Sequence, residues 1–411
     1  MIVIIEPFCK KMSHEKINSG FLTGIRLSYP DEEVQLYAHK SHIEALINIL
    51  DHDKVDINNV TFVEIINAPN TGIISLVAYT YIFYKIFNDL INREIKKVFF
   101  LSFSPAILLI IKKLKMINKF SGLNFLFILH GAFEEIAGNG NNQLYISKIN
   151  SLREVFKLIY QYYLDLINLP WNYISKRHFS FLKVFKYNHD KDFRYVALSP
   201  HIIRNARIFL DVDYYNIHLI NFPINFQKEN ILLESEYMKI AVFGYGNSKK
   251  LSDISKLLVE ENISDKFEIK IIGMDNRGLS DFPFIKFTSN GQPLTRFEME
   301  KEAKDVDIFL ILYESNGYRL SCSGSIFEAL SYCKPIIHLQ NECIDYYNNS
   351  DLPIGISCKS DYDLAITLKN IIENNDNERS RLIEFRKNIL TLRDRLDIKH
   401  SIEQIKNAYT W

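Results

Sequence analysis

The sequence predicts an α/β protein of two successive doubly wound domains, and three observations carry that expectation. The chain has 411 residues. A single hydrophobic core stops growing below that size, so two domains of roughly 150 to 250 residues each are expected. From Met1 onward, short apolar runs rich in Val, Ile and Phe alternate with longer amphipathic stretches, the pattern of parallel strands joined by crossover helices. After Asn221-Phe222-Pro223 and a polar stretch through Glu236, the run Lys239-Ile240-Ala241-Val242-Phe243-Gly244 starts the alternation afresh.

Taken in order, strands are expected near Ile2 to Glu6, Val34 to Ala38, Thr61 to Ile66, Val98 to Phe103, Phe125 to Leu129, Tyr195 to Leu198 and His218 to Ile220, with helices between them. The opening MIVIIEPF is too short for a signal-peptide core and lacks a small-residue cleavage site, so it reads as a buried strand. Between Ser151 and Tyr187 the pattern becomes helical and crowded with aromatics, broken at Pro170-Trp171, where the fixed proline φ ends or redirects a helix. This is read as an insertion, 151–187, in a first domain of residues 1–225.

The boundary is set between 225 and 238, and the second domain at 239–395. Its further strands are expected near Ile269 to Ile272, Ile308 to Leu312, Pro335 to Leu339 and Ile354 to Ile356. Helices should cover Leu251 to Glu261, Leu294 to Lys304, Ser325 to Tyr332 and Tyr362 to Asn374. Residues 396–411 are expected to form a C-terminal helix that packs back on the first domain. Domains of this kind bind ligands outside the carboxyl ends of their strands.

Composition narrows the function classes. Lys plus Arg and Asp plus Glu both number 49, which leaves no global positive field for a nucleic-acid backbone. The cysteines Cys9, Cys322, Cys333, Cys343 and Cys358 are odd in number and lack CxxC spacing, so they read as reduced thiols of a cytoplasmic chain. The longest apolar run, Val98 to Ile111, is shorter than the roughly 20 residues of a spanning helix and contains Pro105.

The most informative stretch is Tyr313 to Ile337, which runs from a buried strand through a polar loop into a helix and a further strand. Ser323, Gly324 and Ser325 fall where that helix should begin, so free backbone N–H groups and the positive end of the helix dipole would face a phosphate. Gly324 would let phosphate oxygens approach closely. Arg319, just upstream, offers a planar fork of donors for a diphosphate. Glu328, read as a first-turn residue, could accept hydrogen bonds from two ribose hydroxyls. Singly, each has an ordinary alternative: a helix cap, a first-turn charge, a solvated arginine. Their occurrence together and in this order favours a ligand site.

This stretch resembles the donor-binding motif of GT-B glycosyltransferases, particularly bacterial capsule, exopolysaccharide and lipopolysaccharide enzymes. Their C-terminal domains carry a similar Ser-Gly, then Glu-Ala-Leu, then Lys-Pro-Ile run. The resemblance implies two Rossmann-like domains facing across a cleft, a nucleotide-sugar donor as co-substrate, and a saccharide or lipid-linked saccharide acceptor in surface-glycan synthesis. No cofactor and no metal are expected. Phe243-Gly244-Tyr245-Gly246-Asn247-Ser248-Lys249 resembles the family's glycine-bearing loop, in which backbone and Lys249 would approach the diphosphate. A lone GxG also serves ordinary turns.

In the first domain, Ser13 to Phe21 resembles the loop after the first strand that faces acceptor and donor, which points to Asn18 and Gly20 on the acceptor side. The alternative is a polar turn with Ser19 as a helix cap. His130 and Glu134 follow a buried strand and would point toward the sugar. The large retaining GT-B family carries two glutamates seven residues apart, and Leu320 stands at the position of the first, so the anomeric outcome is open. An inverting enzyme needs a base, for which Glu134, Glu135, Glu15 and His14 are the candidates. A retaining one would rely on Arg319, Lys249 and helix-terminal amides.

Asp305-Val306-Asp307 has the form of a metal-binding DxD but directly precedes a strand, so a helix-to-strand junction without metal is expected. Trp171 to Lys186 carries Lys176, Arg177, Lys183 and Lys186 among Trp171, Tyr173, Phe179, Phe181 and Phe185, with no acidic residue. Such a surface suits peripheral contact with an anionic membrane, at the inner face of the plasma membrane. The same aromatics would equally serve as core. Two other functions share the expected fold: a nucleotide-sugar 2-epimerase, and a non-catalytic nucleotide-sugar-binding partner subunit. A nicotinamide oxidoreductase is disfavoured, since position 249, where GxGxxG needs its third glycine, is Lys.

Overall fold

The computed structural model describes residues 1–65, 73–129, 131–137, 181–187, 191–226, 238–243, 247–263, 265–273, 279–289, 294–373 and 375–410. Two compact units result, Met1–Pro223 with Ser401–Trp411, and Ile224–His400.

The first unit is built on a seven-stranded parallel sheet in the order β3-β2-β1-β4-β5-β6-β7. The strands are β1 Ile2–Glu6, β2 Val34–Ala38, β3 Val60–Glu64, β4 Lys97–Phe100, β5 Asn124–Ile128, β6 Phe193–Ala197 and β7 Ile217–Leu219. Helices α1 Glu15–Ser28, α2 Lys40–His52, α3 Ile73–Asn92, α4 Pro105–Lys115, α5 Phe181–Lys186 and α6 Pro200–Ala206 accompany it. β4 stops short of the expected Phe103 because Ser104 and Pro105 start the next helix. Ser104 caps α4 by accepting from the Ile107 N–H at 3.3 Å, and Pro105 takes the first helical position, where no N–H is needed.

Many of the phenylalanines are spent on this core. Phe100, Phe127 and Tyr195 are register partners on β4, β5 and β6, with ring centroids 5.1 and 5.7 Å apart, and Phe125 and Phe193 stack beside them. Phe181 and Phe185 of α5 close the stack from one side, both fully buried, with Phe185 4.3 Å from Tyr195. For these two the core alternative holds, and they cannot face a membrane. Lys112 reaches into the same region and donates to the carbonyls of Val184, Phe185 and Tyr187 at 3.0, 2.8 and 2.6 Å. It thereby satisfies the open C-terminal end of α5, although burial pulls its pKa down to about 8.

Helix α1 lies against the last residue of the unit's first segment. A Cβ on Gly20 would stand 2.0 Å from the Pro223 carbonyl oxygen, so only glycine lets the two backbones meet. Gly20→Ala is expected to destabilise the protein by about 1–3 kcal/mol, read as a lowered midpoint of thermal unfolding. The C-terminal helix, α13 at Ile402–Tyr409, also packs on α1 and belongs to this unit. Lys97 donates to Tyr409 O at 3.1 Å, Arg194 to Ala408 O at 3.2 Å, and the Asn221 N–H to Gln404 Oε1 at 2.8 Å.

The second unit has a six-stranded parallel sheet in the order β10-β9-β8-β11-β12-β13. Its strands are β8 Met238–Phe243, β9 Phe267–Ile272, β10 Ile285–Phe287, β11 Ile308–Ile311, β12 Ile336–Leu339 and β13 Gly355–Cys358. Its helices are α7 Ser248–Glu260, α8 Arg296–Lys304, α9 Gly324–Ser331, α10 Glu342–Tyr347, α11 Asp361–Glu373 and α12 Asn375–Leu396. The edge strand β10 and the helices α10 and α12 are additional to the elements expected from sequence. Asp305 and Asp307 are taken up by the fold: Asp305 pairs with Lys239 and Lys270 at 2.8 and 2.6 Å, and Asp307 Oδ2 accepts from the Lys239 N–H at 3.0 Å. No described helix is long and apolar enough to cross a membrane.

Candidate functional site

In each sheet, consecutive strands run outward in opposite directions from one point, between β1 and β4 in the first unit and between β8 and β11 in the second. Loops leaving the strand ends there diverge and open a crevice. In the second unit that point is where the Tyr313 to Ile337 stretch lies.

Three loops are tied together at this end of the sheet. Asn247, after β8, caps α7 by accepting from the Lys250 N–H at 3.1 Å and donates to Glu314 Oε1 at 3.0 Å. Asn341, after β12, donates to the carbonyls of Glu314 and Gly317 at 2.8 and 2.9 Å. Ser325, in the first turn of α9, donates to Phe243 O at the end of β8 at 3.4 Å. The N-terminus of α9 therefore sits over the ends of β8 and β11.

That N-terminus has no side-chain cap. Ser323 occupies the capping position with extended backbone, but its Oγ shares a 2.6 Å hydrogen bond with the buried Tyr313 hydroxyl instead. The cap expected as the ordinary role of Ser323 is not made. A Cβ on Gly324 would meet nothing within 4 Å, and its φ is not in the left-handed region. Neither packing nor backbone geometry requires glycine there, so the space beside it is open. Arg319 is half-buried in the same loop, directly after Tyr318, whose left-handed φ of 58° turns the chain. Lys249 is exposed in the first turn of α7.

Glu328 is placed differently from expectation. It lies in the second turn of α9, since the helix starts at Gly324 and has no acidic residue in its first turn. The guanidinium of Arg296 grips its carboxylate with both arms, at 2.8 and 3.1 Å, and reaches the Tyr332 hydroxyl at 3.2 Å. Burial works against the Arg296 charge, but Glu328 outweighs it and raises the guanidinium's pKa. The sequence reading missed Arg296, although a signal was present. Thr295 and Glu298 form a capping box that fixes the start of α8. A cation in the first turn opposes the helix dipole, so a partner from elsewhere should hold it. Leu320, expected to stand where retaining GT-B enzymes carry their first glutamate, is fully buried.

In the first unit, residues from Glu15 onward form α1, so Asn18 and Gly20 are helical and buried, not in a loop. Ser19 caps nothing and donates to Lys16 O within the helix. Asn18 Nδ2 donates to Glu6 Oε2 at 3.3 Å and to His42 Nε2 at 2.9 Å, while His42 Nδ1 donates to Lys11 O at 3.0 Å. Glu6, at the end of β1, also accepts from the Phe8 and Cys9 N–H groups at 2.9 and 3.1 Å. These bonds fix the course of the loop that ends at His14. His14 is exposed with φ 56°, immediately before α1, while Glu15 beside it is buried. Glu134 is buried in a 3-10 turn, Gly131–Ala137, and the exposed Glu135 accepts from the Phe181 N–H at 3.3 Å, at the start of α5. His130, Gly244 and Gly246 lie outside the described residues, as does 138–180 with Trp171, Tyr173, Lys176, Arg177 and Phe179. No cluster of three or more metal-ligating His, Cys, Asp or Glu occurs among the described residues.

No protein-family model and no curated protein sequence matches the chain. Solved structures do. A glycosyltransferase from Rickettsia africae superposes with a TM-score of 0.58 at 12% identity, covering 99% of this chain and 97% of that one. Anabaena Alr3699/HepE in complex with UDP and glucose gives 0.59 at 12% identity, over 99% and 98%. A mutant of S. aureus TarM in complex with Fondaparinux, alpha-GlcNAc-glycerol and UDP gives 0.58 at 11%, over 100% of both chains. The likeness spans both units and gives the fold, two parallel-sheet α/β domains of the GT-B type.

Proposed function

We propose that this chain is a glycosyltransferase that moves a sugar from a nucleoside diphosphate donor to a saccharide or lipid-linked saccharide acceptor in surface-glycan synthesis. The observation that carries the reading is the uncapped N-terminus of α9, which stands over the divergence point of the second sheet with open space at Gly324 and Arg319 in the loop before it. Such a helix end takes an anion through its backbone N–H groups. The GT-B neighbours include complexes with UDP and with UDP-glucose, which supports a uridine diphosphate sugar as the first donor to test.

In this reading the bond between the anomeric carbon and the diphosphate oxygen breaks while the acceptor oxygen bonds to that carbon. Arg319, Lys249 and the N–H groups of Gly324 and Ser325 take up the charge appearing on the leaving diphosphate. An inverted product needs a base for the acceptor proton, for which His14 and Glu134 are the candidates. Asn18 and Gly20, buried on α1, hold this loop and helix in place on the proposed acceptor side.

The test is thermal stabilisation by UDP, GDP, CMP and dTDP sugars. Because nothing crowds Gly324, Gly324→Ala should leave the unliganded melting temperature within a degree or two, while the added methyl weakens the stabilising nucleotide by about tenfold. If the variant binds every nucleotide as the parent does, the phosphate does not sit at α9. Fully buried Leu320, which leaves no carboxylate at the first glutamate position, favours one second reading, a nucleotide-sugar-binding subunit without turnover of its own. Donor binding without transfer until a partner protein is added would select it.

A further inference from the structure

Helix α3 buries one face completely, with Phe83, Phe87 and Leu90 in the core. Its opposite face carries Val77, Tyr81 and Tyr84, spaced four and three residues apart and 64%, 55% and 44% exposed. Scattered apolar residues on a surface are ordinary, but a stripe at helical spacing is not. The stripe continues across neighbouring elements. The Tyr84 ring meets Phe120 at 5.5 Å, Lys119 bonds to Asn88 of α3, and Met116 and Ile117 stand exposed between α4 and Lys119. Tyr187, at the end of α5, reaches Met116 Sδ at 4.0 Å.

Lysines are interleaved with this apolar surface. Lys85 lies 4.6 Å above the Tyr81 ring, and Lys113 lies 4.8 Å above the Tyr187 ring while donating to its hydroxyl at 2.6 Å. Lys119 and Lys186 are exposed beside them. The exposed acid on α3, Asp89, is paired with Arg93 at 3.2 Å. From Pro105 to Phe120 the chain carries Lys112, Lys113, Lys115 and Lys119 and no acidic residue, and Lys115 is paired with Asp192 at 2.8 Å.

We infer that this face is a docking surface for an anionic lipid bilayer. Each lysine stem and tyrosine ring offers an apolar body with a polar tip, suited to the depth where headgroups meet acyl chains. The lysines add attraction to anionic headgroups. A second copy of this chain fits worse, because a two-fold interface would set lysines against lysines. The surface differs from the sequence-based expectation for Trp171 to Lys186, of which it takes only Lys186. It is independent of the donor site, so nucleotide binding and vesicle binding can succeed or fail separately.

The experiment is flotation of the full chain with vesicles of phosphatidylcholine alone or mixed with phosphatidylglycerol. Binding to the mixed vesicles alone, reversed by salt, is expected. Lys113→Glu with Lys119→Glu should weaken it by about tenfold or more, and so should Tyr81→Ser with Val77→Ser. Lys359→Glu with Lys387→Glu, the same charge change on exposed lysines of the second unit, should not, and circular dichroism checks that every variant is folded. Protein that stays in solution with both vesicles, or equal loss in the second-unit control, overturns the inference. So does concentration-dependent dimerisation abolished by the Tyr81 and Val77 changes, which would assign the face to self-association.

Discussion

Arg296→Met is expected to destabilise the second unit by about 3 kcal/mol and to weaken nucleotide binding as well. The arginine's side chain is 20% exposed and that of Glu328 10%, so removing the guanidinium leaves a largely buried carboxylate facing Tyr332 and little water. Such a carboxylate resists ionisation, so its folded pKa would rise above the unfolded value. A raised pKa means that the variant's deficit is smallest below the unfolded carboxyl range and grows from there until the pH has passed the raised folded value. Arg296→Met combined with Glu328→Leu should restore most of the stability, because an apolar pair carries no unpaired charge. It should not restore nucleotide binding if Glu328 receives the ribose, since Arg296 then acts by holding that carboxylate ionised and oriented. Denaturant unfolding across pH, with nucleotide-induced thermal shifts on the same variants, reads both effects. Recovery of nucleotide binding in the double variant would make the pair purely structural.

Arg319→Ala should lower transfer by about 10²–10³-fold at saturating donor. The arginine stands in the loop that leads into an uncapped helix end, where charge would accumulate as the diphosphate departs. Arg319→Lys should recover little, because a point charge does not reproduce a planar fork against two phosphate oxygens. Donor hydrolysis without acceptor provides a readout that does not depend on knowing the acceptor. If turnover is unchanged while the melting temperature falls, Arg319 belongs to the scaffold of the loop.

The two sheets were legible from the sequence because their strands are continuous buried runs, and most observed strands lie within a residue or two of the expected positions. β10 escaped because Ile285–Phe287 is three residues at a sheet edge, too short to show a period. α12 escaped because its 22 residues are strongly polar, so a faint apolar stripe marks its buried side. That side buries Arg386, which donates to Asp307 O at 3.2 Å, a role that composition does not disclose. Local chemistry placed the start of α9, since a Ser-Gly-Ser run between a strand and an apolar helix has few other readings. It could not reveal that Ser323 turns to Tyr313 or that Arg296 reaches Glu328 from 32 residues away, because both depend on where other elements pack.

The return of α13 to the first unit has a consequence for how the protein is made. The second unit is in effect inserted between two parts of the first, so the first unit is not complete when its seven strands have been translated. At ordinary elongation rates, synthesis of the intervening residues takes on the order of ten seconds or more. Throughout that interval the part of α1 on which α13 packs is uncovered, and Lys97 and Arg194 lack their carbonyl partners on residues 409 and 408. The second unit can therefore finish folding before the first, and a nascent chain stalled after it would be the form most exposed to chaperones and proteases.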